Sequence, residues 1–302
     1  MSAGAALVVL VLGAMAMAIS PVFVRNAEVG PFASAFWRAF TSLPLLYLWM
    51  LLEGRSAGRR PQRASPKAVA LAGLFFAGDL TFWHLAIVHT TIANATFFAC
   101  LAPIWVALLS RFTIGESVAP RTFAGLGVCL CGAALLILSS GGTGAGTPLG
   151  DLYGIVTSLF FGLYFLAVRE ARRGLGAGAT TLSLTVVTAA VLLVVAVISG
   201  ESFLPRSPSG AINLAALGLV SHAGGQGLLS IALGVLSASF SSLVIFVEAV
   251  AAAIFGWIFA GERPGWTEVA GGCLILAGIF LARPRRAAVE PGGAAREMSP
   301  DR

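Results

Sequence analysis

An aspartate and a tryptophan, Asp79 and Trp83, stand one helical turn apart in a run of residues that is otherwise almost wholly apolar. Residues four apart share a helix face. A carboxylate beside an aromatic platform there suits a ligand bearing an ammonium group, through charge pairing and cation–π attraction; a protonated aspartate bonded to a neighbouring helix is the competing reading. Glu248 lies at the centre of a later apolar run, as either a structural acid or a group that takes up a proton during transport. Arg38, after Phe36-Trp37, either braces the bundle while its head snorkels to the interface or offers a planar cation to a carboxylate.

His222 and Gln226 are again one turn apart, and each is read as packing between helices or as ligand contact. Phe97 and Phe98 in one run, with Phe160, Phe161 and Tyr164 in another, would line an apolar cavity for a bulky side chain or simply pack. His84 and His89 form no metal-ligand spacing with Cys, Asp or Glu and read as interfacial residues. The sequence has no paired-aspartate motif and no His-Glu-x-x-His helix, so these scattered single polar groups fit binding better than catalysis.

Groups of this kind need elements to hold them, and the composition says which. Of 302 residues, 58% are hydrophobic and 11% charged, against about 45–50% and about 25% in soluble chains. Too few charges remain to build a water-exposed surface, which excludes a soluble enzyme, a disordered chain and a disulfide scaffold. An integral membrane protein is left. Ten apolar segments can be marked, at 4–23, 32–52, 68–88, 91–112, 121–140, 151–169, 179–199, 211–234, 237–260 and 266–283. The first carries no basic residue ahead of it and reads as a retained helix. Cys100, Cys129, Cys131 and Cys273 all fall inside apolar runs and read as small packing residues.

The net charge of +6 does not mark a nucleic-acid binder, because the basic residues form no continuous stripe. They alternate with the segments instead. Fifteen of the 19 Lys and Arg residues fall around 55–67, 111–121, 169–173 and 283–302, whereas the opposite loops hold only Arg25, Arg206 and Arg263. By the positive-inside rule both termini are expected in the cytoplasm. The glycines at 141–146 lack the Gly-Lys-Ser/Thr ending of a phosphate loop and read as a linker.

An internal repeat appears at an offset of 146: Ala77-Gly78 matches Ala223-Gly224, Gly115-Glu116 matches Gly261-Glu262, Gly125 matches Gly271, and Gly132 matches Gly278. Each unit holds five segments. An odd number turns the second unit upside down in the membrane, the arrangement by which many secondary transporters rock around a midplane site. Leu101-Ala102-Pro103 running to Ile114-Gly115-Glu116, and Val247-Glu248-Ala249 running to Ala260-Gly261-Glu262, resemble the paired signatures of the EamA family of the drug/metabolite transporter superfamily. Ala249 stands where that family usually has proline, so the resemblance leaves a kink in the ninth segment unsupported. Within the family the pattern is similar to YddG-type exporters of aromatic and other amino acids.

The expectation is therefore an all-α integral membrane protein of ten transmembrane helices in two inverted five-helix repeats, 1–140 and 151–283, with a flexible cytoplasmic tail at 284–302. It would sit in the inner (plasma) membrane and export small metabolites, most plainly amino acids, without a cofactor, a metal or nucleic acid. Substrate contacts are expected from Asp79, Trp83, Phe97, Phe98, Phe160, Tyr164 and Gln226, and a coupling or structural charge from Glu248, Arg38 and His222. An intramembrane enzyme of lipid-group transfer and a nucleotide-sugar carrier are the alternatives.

Overall fold

The computed structural model describes residues 1–56, 65–139, 147–260 and 265–283, and these are helical throughout their ordered elements, with no strand among them. The first half comprises α1 (Ala3–Ala18), α2 (Ser20–Arg25), α3 (Pro31–Phe40), α4 (Leu43–Ser56), α5 (Pro66–His89), α6 (Ile92–Ala99), α7 (Ala102–Thr113) and α8 (Pro120–Ser139). The second comprises α9 (Pro148–Ala171), α10 (Ala177–Ile198), α11 (Pro208–Ala216), a π-helical stretch over Leu217–Gln226, α12 (Gly227–Leu233), α13 (Ala238–Val244), α14 (Val247–Ala260) and α15 (Trp266–Ala282). Seven helical stretches are long and apolar enough to cross a membrane. Three shorter apolar helices, Pro120–Leu136, Ala238–Ala251 and Trp266–Ala282, occupy the fifth, ninth and tenth expected segments. The tail at 284–302, Gly261-Glu262, Arg263 and the glycine linker lie outside the described residues.

Local chemistry starts these helices where the sequence places hydroxyls and prolines. Ser65, Thr91, Thr147, Ser207 and Ser237 each accept a backbone N–H of the first turn on their side-chain oxygen. Thr91 and Ser237 are 146 apart and cap α6 and α13 alike, which extends the repeat beyond its glycines.

Both of these helices then break at matching places. Around Cys100-Leu101 the amide of Leu101 turns back three residues to Phe98, just before Pro103, which has no N–H to give. Around Ile245-Phe246 the amides of Ile245, Phe246, Glu248 and Ala249 do the same without any proline. The helix is thus interrupted here although Ala249 stands in place of a proline.

The outer faces are apolar and the inside is where polar groups hide. Val194, Val197, Ile198, Phe112 and Phe280 are exposed, while Thr180, Thr181, Thr185 and Thr188 are fully buried along one face of α10. Thr181 and Thr188 donate to carbonyls one turn back, and Thr188 also reaches the Gly73 carbonyl on α5. This inversion of the soluble pattern is what a lipid solvent demands.

The two halves meet through close contacts. Gly125 lies against Gly278 and Gly132 against Gly271, so α8 and α15 run antiparallel with their backbones nearly touching. α5 runs antiparallel to α9 in the same way, from Phe76 against Tyr164 to His89 against Gly150. Two glutamates tie a third pair. Glu53, at the end of α4, accepts the amides of Ala177 and Gly178 at 2.8 Å each, and Glu201, just beyond α10, accepts the amide of Ala33 at 2.9 Å. Each carboxylate sits on the positive end of the other helix.

Candidate functional site

One end of the bundle gathers the basic residues. Arg169 at the end of α9 pairs with Glu116 at 2.6 Å and donates to the Leu233 carbonyl, while the other Glu116 oxygen accepts the Ala238 amide at 3.0 Å. Arg172 and Arg173 donate to the carbonyls of Ser230 and Ile114. The opposite end is tied by acids instead: Asp151 accepts from Thr90 and Asn94, and Glu28 accepts the amides of Arg206 and Ser207.

Between these ends lies a narrow cavity of about 40 Å³, lined by Met17, Ser20, Arg38, Asp79, Leu80, Trp83, Ala99, Phe161, Gln226 and Glu248. An adjoining crevice adds Ala18, Pro21 and Thr96. The wall is thus built from α1, α2, α3, α5 and α6 of the first half and from α9, the π-helical stretch and α14 of the second. Both halves of the chain thus contribute to one cavity.

Its ionisable side chains form no ion pair among the described residues. Arg38 is only 4% exposed, so its head stays inside the bundle and does not snorkel outward as one sequence reading allowed. Its guanidinium carbon sits 5.4 Å from the Trp83 ring centroid. Trp83 therefore already carries a cation on one face. Asp79 and Glu248 lie within Coulombic range of Arg38, yet no ion pair joins Arg38 to either acid among the described residues. Arg38 Nε and Glu248 Oε1 are buried without a hydrogen-bond partner. Burying such groups unpaired is costly.

The remaining candidates divide. Tyr164 is fully buried beside the cavity and donates to Gln226 Oε1 at 3.1 Å. His222 faces α10 instead, sharing a 2.9 Å hydrogen bond with Thr185 and packing on Phe76. Phe160 stacks on Phe82 and covers Gly78, away from the lining, while its neighbour Phe161 takes the place on the wall. Phe97 packs against the core and Phe98 fills the notch at Gly154 on α9. His84 is fully buried against Trp83.

Met17, Ser20, Leu80 and Ala99 were not evident as lining residues from their types. One signal existed: Ser20-Pro21 breaks the first rod, with Ser20 Oγ donating to the Met17 carbonyl, and broken helices tend to mark transporter sites.

Such a fold, all-helical with apolar outer faces and a buried polar cavity between two halves, defines a multi-pass membrane protein that handles a small molecule. The chain belongs to the EamA-like transporter family, which matches it twice, over residues 4–138 and 148–283. It is 28% identical to an uncharacterized transporter of Archaeoglobus fulgidus over 90% of this chain and 94% of that protein. It is 27% identical to the pseudopaline exporter CntI of Pseudomonas aeruginosa over 83% of this chain and 86% of the relative. A crystal structure sharing 20% identity superposes with a TM-score of 0.77, covering 92% of this chain and 98% of the other, which supports the fold alone.

Proposed function

We propose that this transporter exports small zwitterionic metabolites, amino acids with large apolar side chains foremost, by alternating access of two inverted five-helix halves, 1–140 and 151–283. The observation that carries the substrate class is the unpaired set of Arg38, Asp79 and Glu248 around one cavity. An amino acid brings one negative and one positive group to a wall that offers both signs, and Trp83, Leu80, Met17 and Phe161 supply apolar surface for its side chain. Inversion is supported by the antiparallel run of α8 against α15, helices that match at the 146-residue offset.

In this reading the chain crosses the inner (plasma) membrane ten times, with the Arg-rich end, Glu116, Arg169 and both termini in the cytoplasm, as the positive-inside rule favours. In this state the ties at both ends leave only a narrow central cavity, and transport requires that they open in turn. Export is the direction named for the Pseudomonas relative.

The test is flux in proteoliposomes containing only this chain. Counterflow of phenylalanine, with methionine and threonine competing, is the expected result. Transport of a nucleotide sugar with no competition from those three amino acids would overturn the substrate class.

A further inference from the structure

Gln226 is held from both ends of its amide. Its oxygen accepts the Tyr164 hydroxyl at 3.1 Å and its nitrogen donates to the Met17 sulfur at 3.0 Å. Tyr164 has little freedom to do otherwise, being fully buried and stacked on Phe76 with ring centroids 4.5 Å apart. The Tyr164 hydroxyl donates to the Gln226 oxygen and the Met17 sulfur has no hydrogen to give, so together they turn the oxygen toward α9 and the NH₂ toward α1. A thioether is a weak acceptor and takes one hydrogen; the second is left for the cavity that Gln226 lines. Arg38 adds N–H groups that form no ion pair with a described carboxylate, whereas the Ser20 hydroxyl is already spent on the Met17 carbonyl.

We infer that Arg38 and the Gln226 amide N–H form a carboxylate subsite, and that Tyr164 is the positioning residue that keeps Gln226 turned as a donor. This rests on the amino-acid reading above and adds which wall receives which end of the substrate: the acid at Arg38 and Gln226, the ammonium at Asp79. A planar guanidinium suits a carboxylate, and an amide oxygen facing the same guest would repel it.

The experiment measures binding of labelled phenylalanine to the purified full chain, competed by unlabelled phenylalanine and by phenylalaninamide, which keeps the ammonium and the ring but lacks the charge of the acid. In the wild type the amide should compete more weakly by about tenfold or more, the loss expected when a charge-assisted pair is forfeited. Tyr164→Phe retains the stacked ring and removes only the donor. It should pull the acid-to-amide preference down toward unity while the amide's own affinity hardly changes. Arg38→Gln should abolish the preference, and if that variant fails to fold, Tyr164→Phe decides alone.

Equal competition by acid and amide in a wild type that binds phenylalanine overturns the subsite and leaves the transport reading standing. Equal loss of acid and amide in Tyr164→Phe reduces Tyr164 to packing and overturns its positioning role. No phenylalanine binding at all overturns the amino-acid reading, and this inference with it.

Discussion

Gly132 and Gly271 face one another with no room for a side chain on either: a Cβ on Gly132 would lie 2.6 Å from the Gly271 carbonyl oxygen, and one on Gly271 2.7 Å from the Gly132 carbonyl. Gly125 and Gly278 repeat the arrangement at 2.5 and 2.7 Å. The atoms met are backbone, which cannot swing aside. Gly132→Val should therefore destabilise the protein by about 1–3 kcal/mol through overpacking, and Gly127→Ala, where a Cβ meets nothing within 4 Å, should cost nothing measurable. Melting temperatures in detergent check this. Equal melting of the two variants would remove the α8–α15 contact from the account.

The glutamate ties predict a matched pair of effects. Glu53 holds the start of α10 and Glu201 the start of α3. Glu53→Ala and Glu201→Ala should each lower stability by about 1–2 kcal/mol, the usual worth of an N-terminal cap with a charged acceptor. Gln at either position should restore part of that. Thermal unfolding of the four variants reads the result, and a Gln variant no better than Ala would assign the effect to the negative charge at the helix start, with no share from packing or a neutral acceptor.

Orientation is open to a direct check. In a background with the four cysteines replaced, Ser117→Cys on the Arg-rich end should resist an impermeant thiol reagent in intact cells, and Ser202→Cys on the opposite end should react, both positions being exposed. Reversed labelling would turn the protein over in the membrane and overturn the cytoplasmic placement of the Arg-rich end and both termini.

The Glu116–Arg169 pair joins the loop after α7 to α9 and, through Ala238, to the start of α13. If it keeps the cytoplasmic end shut, Glu116→Gln should raise labelling of Ser20→Cys in inside-out vesicles by about tenfold, the change in a two-state ratio that about 1.4 kcal/mol produces. Unchanged labelling would make the pair a static strut.

Asp79 and Glu248 are separated by what they should do to flux. Asp79→Asn keeps shape and removes charge, so apparent affinity for amino acids should fall by about tenfold or more, equivalent to about 1.5–3 kcal/mol. Glu248→Gln should leave affinity near wild type. Should Glu248 carry the coupling proton, that change would stop pH-driven accumulation while sparing exchange of substrate for substrate. Counterflow and pH-gradient transport at matched protein levels distinguish these outcomes.

Much of this was legible from residue types alone. Apolar run length and charge scarcity require helices in lipid, because a backbone in hydrocarbon must satisfy its own hydrogen bonds. The 146-residue offset and its glycines indicate two similar halves, and mid-run Arg38, Asp79, Gln226 and Glu248 stand out since ionisable and polar groups in apolar runs need a reason. What no one-dimensional pattern carries is azimuth and partner. Phe160 and Phe161 are adjacent and chemically identical, yet a step of about 100° around a helix sends one to Phe82 and the other to the cavity. Met17, Ser20 and Ala99 look like packing residues until three rods converge on them. Arg38 resembled an interfacial anchor until α3 and α5 brought it over Trp83. The sequence determined that charges would be buried; only the packing of helices from both halves decided which of them share one cavity, because that depends on how the rods rotate and cross.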